Sequence, residues 1–572
     1  MGAKAQARTA VQALAPEGAL SLSTVSALAQ RWVLRAGAVL LPLTYWPLTY
    51  DRYVLPKLLV ARSLVLALAL LLVIRWLAGR AVVVKRTPLD VPILAFVASA
   101  LLSAIVGINV NVGLFGTYTR YDGALTLITY AALFWLAVQA IEDSEDARGL
   151  LRALLAGAYL VALLAIGQWL LDTIYGRQFP RAYGPLGNAN VLGAYLVMLI
   201  PFAYHELLHA SSAGRRLLAA NVLLNLGLAV VMTVSHSAWL GLAAAIAILI
   251  AGRQYPVLSR PVQLLFAVGV FGTFAAAAPY VFGRITDIAQ RAGIWGDSLH
   301  LIASRPLLGY GPDTFGLVYP GFASAPWVLG YPQIDKAHSE FLQVAATQGL
   351  VGVAILLWII AVFIWAFWKG RRRPEAWSLF AGCAAYLVVL LFNFSALGSA
   401  FPFWIFAAPA MVVWRARREV RWVPQRARGP VTAAAVVVAA GLVALALPAV
   451  VMPYLADQRL KAAVAAEQWW RLAEARPLAA TARDLNPQES VYAVEAGNVA
   501  FDQQDWPAAR AAYLDATWLG TFNPRVYRNL AIADSNLGLL SEAVSAAQQA
   551  VYLDRFDPAN QALLAQMSGY VP

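Results

Sequence analysis

The chain holds one cysteine, Cys383, and five histidines in 572 residues, and only 13 % of its residues are charged. A single cysteine excludes an intrachain disulfide and a four-cysteine zinc site, and Cys383 lies in an apolar run where redox chemistry is not expected. So little charge excludes an ordinary soluble domain, in which about a quarter of residues are charged. Acidic residues are the scarcer sign, 30 against 43 Lys and Arg, for a net charge of +13. A basic excess would suit nucleic acid, but here the basic residues sit between apolar segments, where they set membrane orientation instead. No His/Asp cluster with metal-ligand spacing occurs on the expected outer side, so neither a metal nor another cofactor is anticipated. The acidic run Glu142-Asp143-Ser144-Glu145-Asp146 reads as a solvated helix start in the cytoplasm. Nothing before Arg31 resembles a cleaved signal peptide, and residues 1–30 are expected to form a cytoplasmic tail.

What the chain has in abundance is hydrophobic sequence, 60 % of the total. Crossing a hydrocarbon core about 30 Å thick takes roughly 20 apolar residues. The hydropathy pattern predicts an all-α membrane domain over 31–453 with spans near 32–49, 57–78, 89–107, 123–141, 150–171, 190–208, 216–234, 237–251, 262–281, 341–368, 376–393, 401–415 and 431–452. Lys and Arg concentrate in the tail and in alternate loops (Lys4, Arg80, Arg216, Arg372, Arg418), which the positive-inside rule assigns to the cytoplasm. That assignment puts the long 282–337 loop, His338 and the C-terminal region outside.

After Pro453 the composition turns soluble and Ala-rich. Small residues recur at a 34-residue period: Ala463/Gly497/Ala531, Ala475/Ala509/Ala543 and Ala482/Ala516/Ala550, with Asn486-Pro487, Asn523-Pro524 and Asp557-Pro558 at the turns. This is the tetratricopeptide spacing, so 454–572 is expected to be an extracytoplasmic helical solenoid that binds a protein partner or stacks on a neighbour.

Unusual residues gather on the expected outer face. They include Arg120 and Asp122 in Gly116–Gly123, Arg177 and Arg181 before the Gly187-Asn188-Ala189-Asn190 turn, and Ser235-His236-Ser237 between two spans. The long loop adds Arg284, Arg291, Asp297, Arg305, Asp313 and Lys336, with Gly309-Tyr310-Gly311-Pro312 as a sharp turn. Ionisable groups at membrane depth are costly and usually pair or line a site. Arginines at headgroup level suit a phosphate-bearing lipid, because the guanidinium fork binds phosphate oxygens in pairs and stays charged. The plain alternative for each single Arg is an anchor for ordinary headgroups, a reading that suits Arg177 and Arg305 better than Arg181 and Arg291. His338, at the lip of the apolar run 341–368, suits a general base, since imidazole titrates near neutrality. A satisfied interfacial histidine is the plain alternative, and His236 fits a helix-junction hydrogen bond equally well.

The spacing His338-Ser339, nine residues, Gly349, two residues, Gly352 resembles the signature of the superfamily of O-antigen ligases, Wzy-type polymerases and protein O-oligosaccharyltransferases. Gly309-Tyr310-Gly311-Pro312 and Gly187-Asn188-Ala189-Asn190 are similar to family segments, although Ala189 stands where proline is frequent. The resemblance covers about residues 30–420, and the tetratricopeptide tail resembles extensions of some members. It implies a metal-independent, inverting glycosyltransferase of GT-C type in the bacterial cytoplasmic membrane. Its donor would be a glycan on undecaprenyl diphosphate, and its acceptor a hydroxyl on a lipid, glycan or protein. By the same likeness His338 is the essential histidine and Arg291 the arginine of the large loop. A second arginine usually follows the serine between the seventh and eighth spans; here that position is His236. Either His236 binds the diphosphate more weakly and conditionally on pH, or Arg181 or Arg120 supplies the missing fixed charge; Arg284 is a further candidate diphosphate contact. A lipid or polysaccharide transporter and a non-catalytic scaffold are competing classes. The first lacks an internal repeat of the membrane half, and the second leaves the outer Arg and His residues unexplained.

Overall fold

The computed structural model describes residues 21–79, 81–178, 180–252, 285–324, 334–422 and 428–569. Most of the expected cytoplasmic tail, the predicted span 262–281 and Arg284 lie outside them. The described helices are α1 (Leu22–Leu43), α2 (Val54–Ala78), α3 (Asp90–Val106), α4 (Val110–Phe115), α5 (Ala124–Ala140), α6 (Ser144–Ile174), α7 (Ala189–Leu208), α8 (Ala213–Met232) and α9 (His236–Ala251). Then come α10 (Ile285–Ser304), α11 (Phe315–Val318), α12 (Glu340–Gly370), α13 (Pro374–Leu391), α14 (Leu397–Val413) and α15 (Arg428–Ala446). The C-terminal helices are α16 (Met452–Gln468), α17 (Leu472–Leu485), α18 (Ser490–Asp502), α19 (Trp506–Trp518), α20 (Pro524–Asn536), α21 (Leu540–Leu553) and α22 (Pro558–Ser568).

Seven described helices are long and apolar enough to cross a membrane: α2, α6, α7, α8, α12, α13 and the stretch Ala433–Gln468. Helices α3, α5, α9 and α14 are apolar but shorter, at 16 or 17 residues. The chain is a multi-pass, helical membrane protein. Buried Leu, Ala and Phe of α1, α2, α5–α9 and α12–α14 form one continuous core.

Three details depart from the sequence expectations. The first helix starts at Leu22, where the Ser21 hydroxyl accepts the Thr24 amide, and stops at Leu43 rather than near 49. Pro47 disfavours helix in the residue before it, and residues 44–53 form a turn. The 282–337 segment, expected to be an irregular loop, contains the 20-residue α10. Ile294 and Leu301 of α10 pack on Phe315, Val318 and Tyr319, while buried Asp297 accepts hydrogen bonds from the Tyr319 hydroxyl and the Ser324 amide, both at 3.0 Å. An antiparallel ribbon, β1 (Val82–Arg86) with β2 (Arg418–Trp422), interrupts the otherwise helical fold. Three consecutive valines in β1 favour it, because β-branched side chains suit extended backbone.

Helix ends sort onto two faces. On one, Lys85 Nζ donates to the carbonyls of Gln139 (3.0 Å) and Ile141 (2.5 Å), Asp143 caps α6, and Arg373 bonds Ser144 at 3.1 Å. On the other, Lys57, buried at the start of α2, donates to the carbonyls of Thr44, Tyr53 and Pro185 at 2.7–2.8 Å. Three carbonyls use all three ammonium donors and tie the α1–α2 turn to the turn before α7. The C-terminal helices belong to this second face. They follow α15 with no break in helix, through a π turn at Leu447–Val451, although composition changes sharply there. From α16 onward each helix packs on the next, around small residues such as Ala463, Ala475, Ala509, Ala531 and Ala543. The array returns to the bundle: Asn109 and Asn111 donate to the Trp518 and Gln488 carbonyls at 3.1 and 2.8 Å, and Arg555 bonds the Ala323 carbonyl.

Candidate functional site

Gly349 decides the local architecture. It sits inside α12 with φ 69° and ψ −171°, a break that a side chain would strain, and the chain from Leu307 to Gly311 crosses there. Leu350 and Val351 amides donate to the Pro306 and Leu307 carbonyls, at 2.7 and 3.3 Å. Amides of Tyr310 and Gly311 in turn donate to Ala346 and Thr347 carbonyls, at 3.0 and 2.9 Å. A Cβ on Gly309 would come within 2.5 Å of the Thr347 backbone. Gly309 and Gly349, one from each motif, therefore serve one backbone crossing. It fixes the start of α12 against the segment that carries Asp313.

Ahead of α12, Lys336 is buried between two carboxylates, at 2.6 Å from Asp122 and 2.8 Å from Asp313. Asp313 also accepts the amide and hydroxyl of Thr117, at 2.7 and 2.9 Å. Burial alone would lower the ammonium pKa, but the two carboxylates outweigh it and hold Lys336 above its ordinary value; burial also pushes the Asp122 carboxyl up against the pull of Lys336. The Ala337 amide donates to the Gln343 side chain at 2.8 Å, and Glu340 accepts the Ser395 amide at 2.7 Å. So held, His338 adopts φ 52°, a left-handed conformation uncommon outside glycine.

Beside it opens a cleft with about 730 Å³ of empty space, lined among others by Arg120, Asn188, Asn190, Asp335, His338, Asn393 and Phe394. The Arg120 guanidinium forms a two-pronged pair with Asp335 at 2.5 and 3.0 Å and lies 5.1 Å from the Phe394 ring centroid. The His338 ring is tilted against Phe394 at 5.7 Å, and its Nδ1 has no hydrogen-bond partner among the described residues. Burial, then the positive charge of Arg291, lowers the His338 pKa to about 4; Arg120 adds to this and Asp335 opposes it. The imidazole is thus neutral at physiological pH. Arg291, on α10, reaches the same neighbourhood and donates to the Phe392 carbonyl at 3.0 Å.

The other sequence candidates are arranged around this cleft rather than all in it. The guanidinium of Arg181 bonds the carbonyls of Thr233 (2.8 Å) and Val234 (3.3 Å) and the Asn190 side chain (3.0 Å). It thereby ties the α8–α9 junction to a cleft-lining residue. His236 begins α9, edge-on to Trp239 at 5.4 Å, and the adjacent Ser237 hydroxyl accepts from Asn393 at 2.5 Å. Asp335, Asn393 and Phe394 were not singled out from the sequence. Only the adjacency of Asp335 to the His338 motif pointed to it. Among the described residues no three His, Cys, Asp or Glu side chains gather as metal ligands.

Residues 220–357 match the family model for O-antigen ligase. This match supports membership of the O-antigen ligase superfamily, and with it a membrane glycan ligase or polymerase that takes a lipid-linked glycan donor and an acceptor. The matched stretch contains His236, Arg291, His338, Gly349 and Gly352, whereas Arg120 and the C-terminal array lie outside it. No curated protein matches the chain.

Proposed function

We infer that this O-antigen ligase relative transfers a glycan from a polyprenyl diphosphate to an acceptor hydroxyl, at the outer face of the bacterial cytoplasmic membrane. The observation that carries this reading is the imidazole of His338, its Nδ1 without a hydrogen-bond partner among the described residues, in a polar cleft lined by Arg120 and with Arg291 nearby at the Phe392 carbonyl. The acceptor oxygen attacks the anomeric carbon, the bond from that carbon to the phosphate oxygen breaks, and the electron pair leaves on the diphosphate. The acceptor proton passes to His338 and then to solvent. Arg291 and the Arg120 donors left over by Asp335 stabilise charge growing on the leaving group. Displacement from the face opposite the phosphate inverts the anomeric configuration. An anionic donor favours the imidazolium, which raises the basicity of His338 once the complex forms.

Basic residues of the face that carries Lys85, Arg373 and Arg417 support the orientation, with that face in the cytoplasm. The shorter apolar helices α3, α5, α9 and α14, beside the seven longer ones, support a reading with more than seven spans; the proposed count is thirteen, with span 262–281 outside the described residues. The stacked C-terminal helices, with small residues at a 34-residue period, support a tetratricopeptide solenoid outside the membrane with a protein as partner. Purified protein incubated with a lipid-diphosphate glycan and candidate lipid, glycan and protein acceptors tests the reaction. Transfer to a lipid core identifies a ligase, glycan extension a polymerase, and glycosylated protein an oligosaccharyltransferase. No transfer to any acceptor, with the donor bound, overturns the reading.

A further inference from the structure

The loop Thr117–Asp122 joins three parts of the molecule. Thr119 and Tyr121 both take positive φ, 69° and 52°, and around these two reversals the side chains of Tyr118, Arg120 and Asp122 reach different partners. Arg120 goes to Asp335 and Asp122 to Lys336, so the loop grips the His338 segment on both sides of Asp335-Lys336. Tyr118 goes to the C-terminal array. Its hydroxyl donates to Asp457 Oδ1 of α16 at 2.5 Å, and its ring meets Tyr121 and Tyr492 of α18 edge-on at 5.8 and 6.3 Å. Asp457 is fully buried, and its other oxygen accepts the amides of Tyr50 and Asp51 at 2.6 and 3.0 Å. Asp51 in turn accepts the amides of Tyr53, Val54 and Leu55 at the start of α2. One carboxylate of the array thus joins the α1–α2 turn to the loop that holds the cleft arginine.

We propose that Asp457 and Tyr118 are positioning residues through which the C-terminal array sets the His338 segment. Backbone in the left-handed region persists only where its surroundings over-determine it. At Thr119 and Tyr121 those surroundings include the array. Removing the Tyr118–Asp457 bond lets the loop relax, and Arg120 and Asp122 carry the change to Asp335 and Lys336.

The test uses full-length protein in lipid nanodiscs, with Tyr118→Phe, Asp457→Ala, the double variant and, as control, Asp557→Ala. Asp557 caps α22 and pairs with Arg528 at 3.0 Å, and takes no part in the Tyr118–Asp457 contact. Hydrogen exchange of peptides covering 334–343 reports the segment directly, through the Ala337 amide. Both single variants are expected to speed its exchange about 10-fold and the double no further, because residues acting through one contact are not additive. Asp557→Ala is expected to leave that exchange unchanged. In glycan transfer the same variants lower kcat by about 10-fold, with KM within about 2-fold, as misplacement of a catalytic group does. The turnover arm rests on the transferase reading and the exchange arm does not, so failure of transfer by the unmodified protein leaves the coupling test standing. Unchanged exchange at 334–343 in Tyr118→Phe, additive effects in the double variant, or an equal response to Asp557→Ala each overturn the proposal. If Asp457→Ala does not fold, Tyr118→Phe decides alone.

Discussion

The two faces of the bundle both carry buried or half-buried ion pairs, yet they use them differently. On the face of Lys85, Arg31 and Arg35 pair with Asp146, and Arg75 and Lys85 with Glu142, next to a regular side-chain cap on α6. These pairs close the helix ends. On the face of His338, Lys336 pairs with Asp122 and Asp313, and Arg120 with Asp335, around backbone in sparsely populated conformations. Thr119, Tyr121, Val234, Asp313 and His338 all have positive φ there, whereas Arg415 is the corresponding residue on the other face. Such strain costs about 1–3 kcal/mol per residue and persists where surrounding contacts enforce it. The contrast teaches that the pairs of the first face terminate helices, whereas those of the second hold a cleft open.

The largest effect that would sharpen this contrast is at the cleft. His338→Ala should lower glycan transfer by about 10²–10⁴-fold, the usual contribution of a proton-transfer group, while donor binding stays within a few-fold. Near-normal turnover would remove the imidazole from the chemistry. Second comes the buried cluster. Lys336→Met leaves two carboxylates buried without their cation and should cost about 3–5 kcal/mol. Breaking the exposed Arg152–Glu206 pair of the other face by Arg152→Ala should cost less than about 1 kcal/mol. Thermal unfolding of the two variants in one detergent measures both, and equal losses would break the comparison.

Third, Arg291→Ala should weaken binding of a non-transferable donor analogue about 10- to 100-fold, the worth of a hydrogen bond to a charged group. Arg291→Lys should restore only part of it, because an ammonium lacks the fork. The same change gives a pH test. A nearby cation disfavours the imidazolium, so its removal raises the His338 pKa. The acid limb of kcat/KM is expected near pH 4 in the unmodified protein, with activity lost as pH falls through that value, and it should move to higher pH in Arg291→Ala. An acid limb already near the ordinary imidazole value, about 6.5, and unmoved by the substitution would contradict the geometry. The smallest effect concerns the α8–α9 junction. If His236 serves as a conditional cation, analogue affinity should fall as pH rises from about 5.5 to about 8.5, and His236→Arg should flatten that dependence. Identical profiles would leave His236 a junction residue, with the second phosphate contact sought at Arg120.

Much of the helical framework was legible because lipid enforces it. Apolar runs at 57–78, 89–107, 123–141 and 190–208 end within a few residues of the helices, since helix is the conformation in which a single segment satisfies its own backbone in hydrocarbon. Less was legible where long-range contacts decide. Residue spacing around Gly349 drew attention to the motif, but the crossing by Leu307–Gly311 depends on hydrogen bonds to another segment. The Arg120–Asp335 pair joins positions 215 residues apart, and no local pattern announces such a partner. Arg120 and Arg181 looked alike in sequence, as single arginines in polar loops. One lines the cleft, while the other is occupied by carbonyls at a helix end.

The break at Gly349 also acts as a depth gauge. Helix α12 has 31 residues, about 46 Å at 1.5 Å per residue, which exceeds a hydrocarbon core about 30 Å thick. The part after the break, Leu350 to Gly370, measures about 31 Å and suffices to cross. The part before it, Glu340 to Gln348, adds about 13 Å and is free of the crossing direction. His338, ahead of that leading part, is thereby set off from the crossing part of α12. Shifting the break by one residue would turn the leading part by about 100° relative to the crossing part.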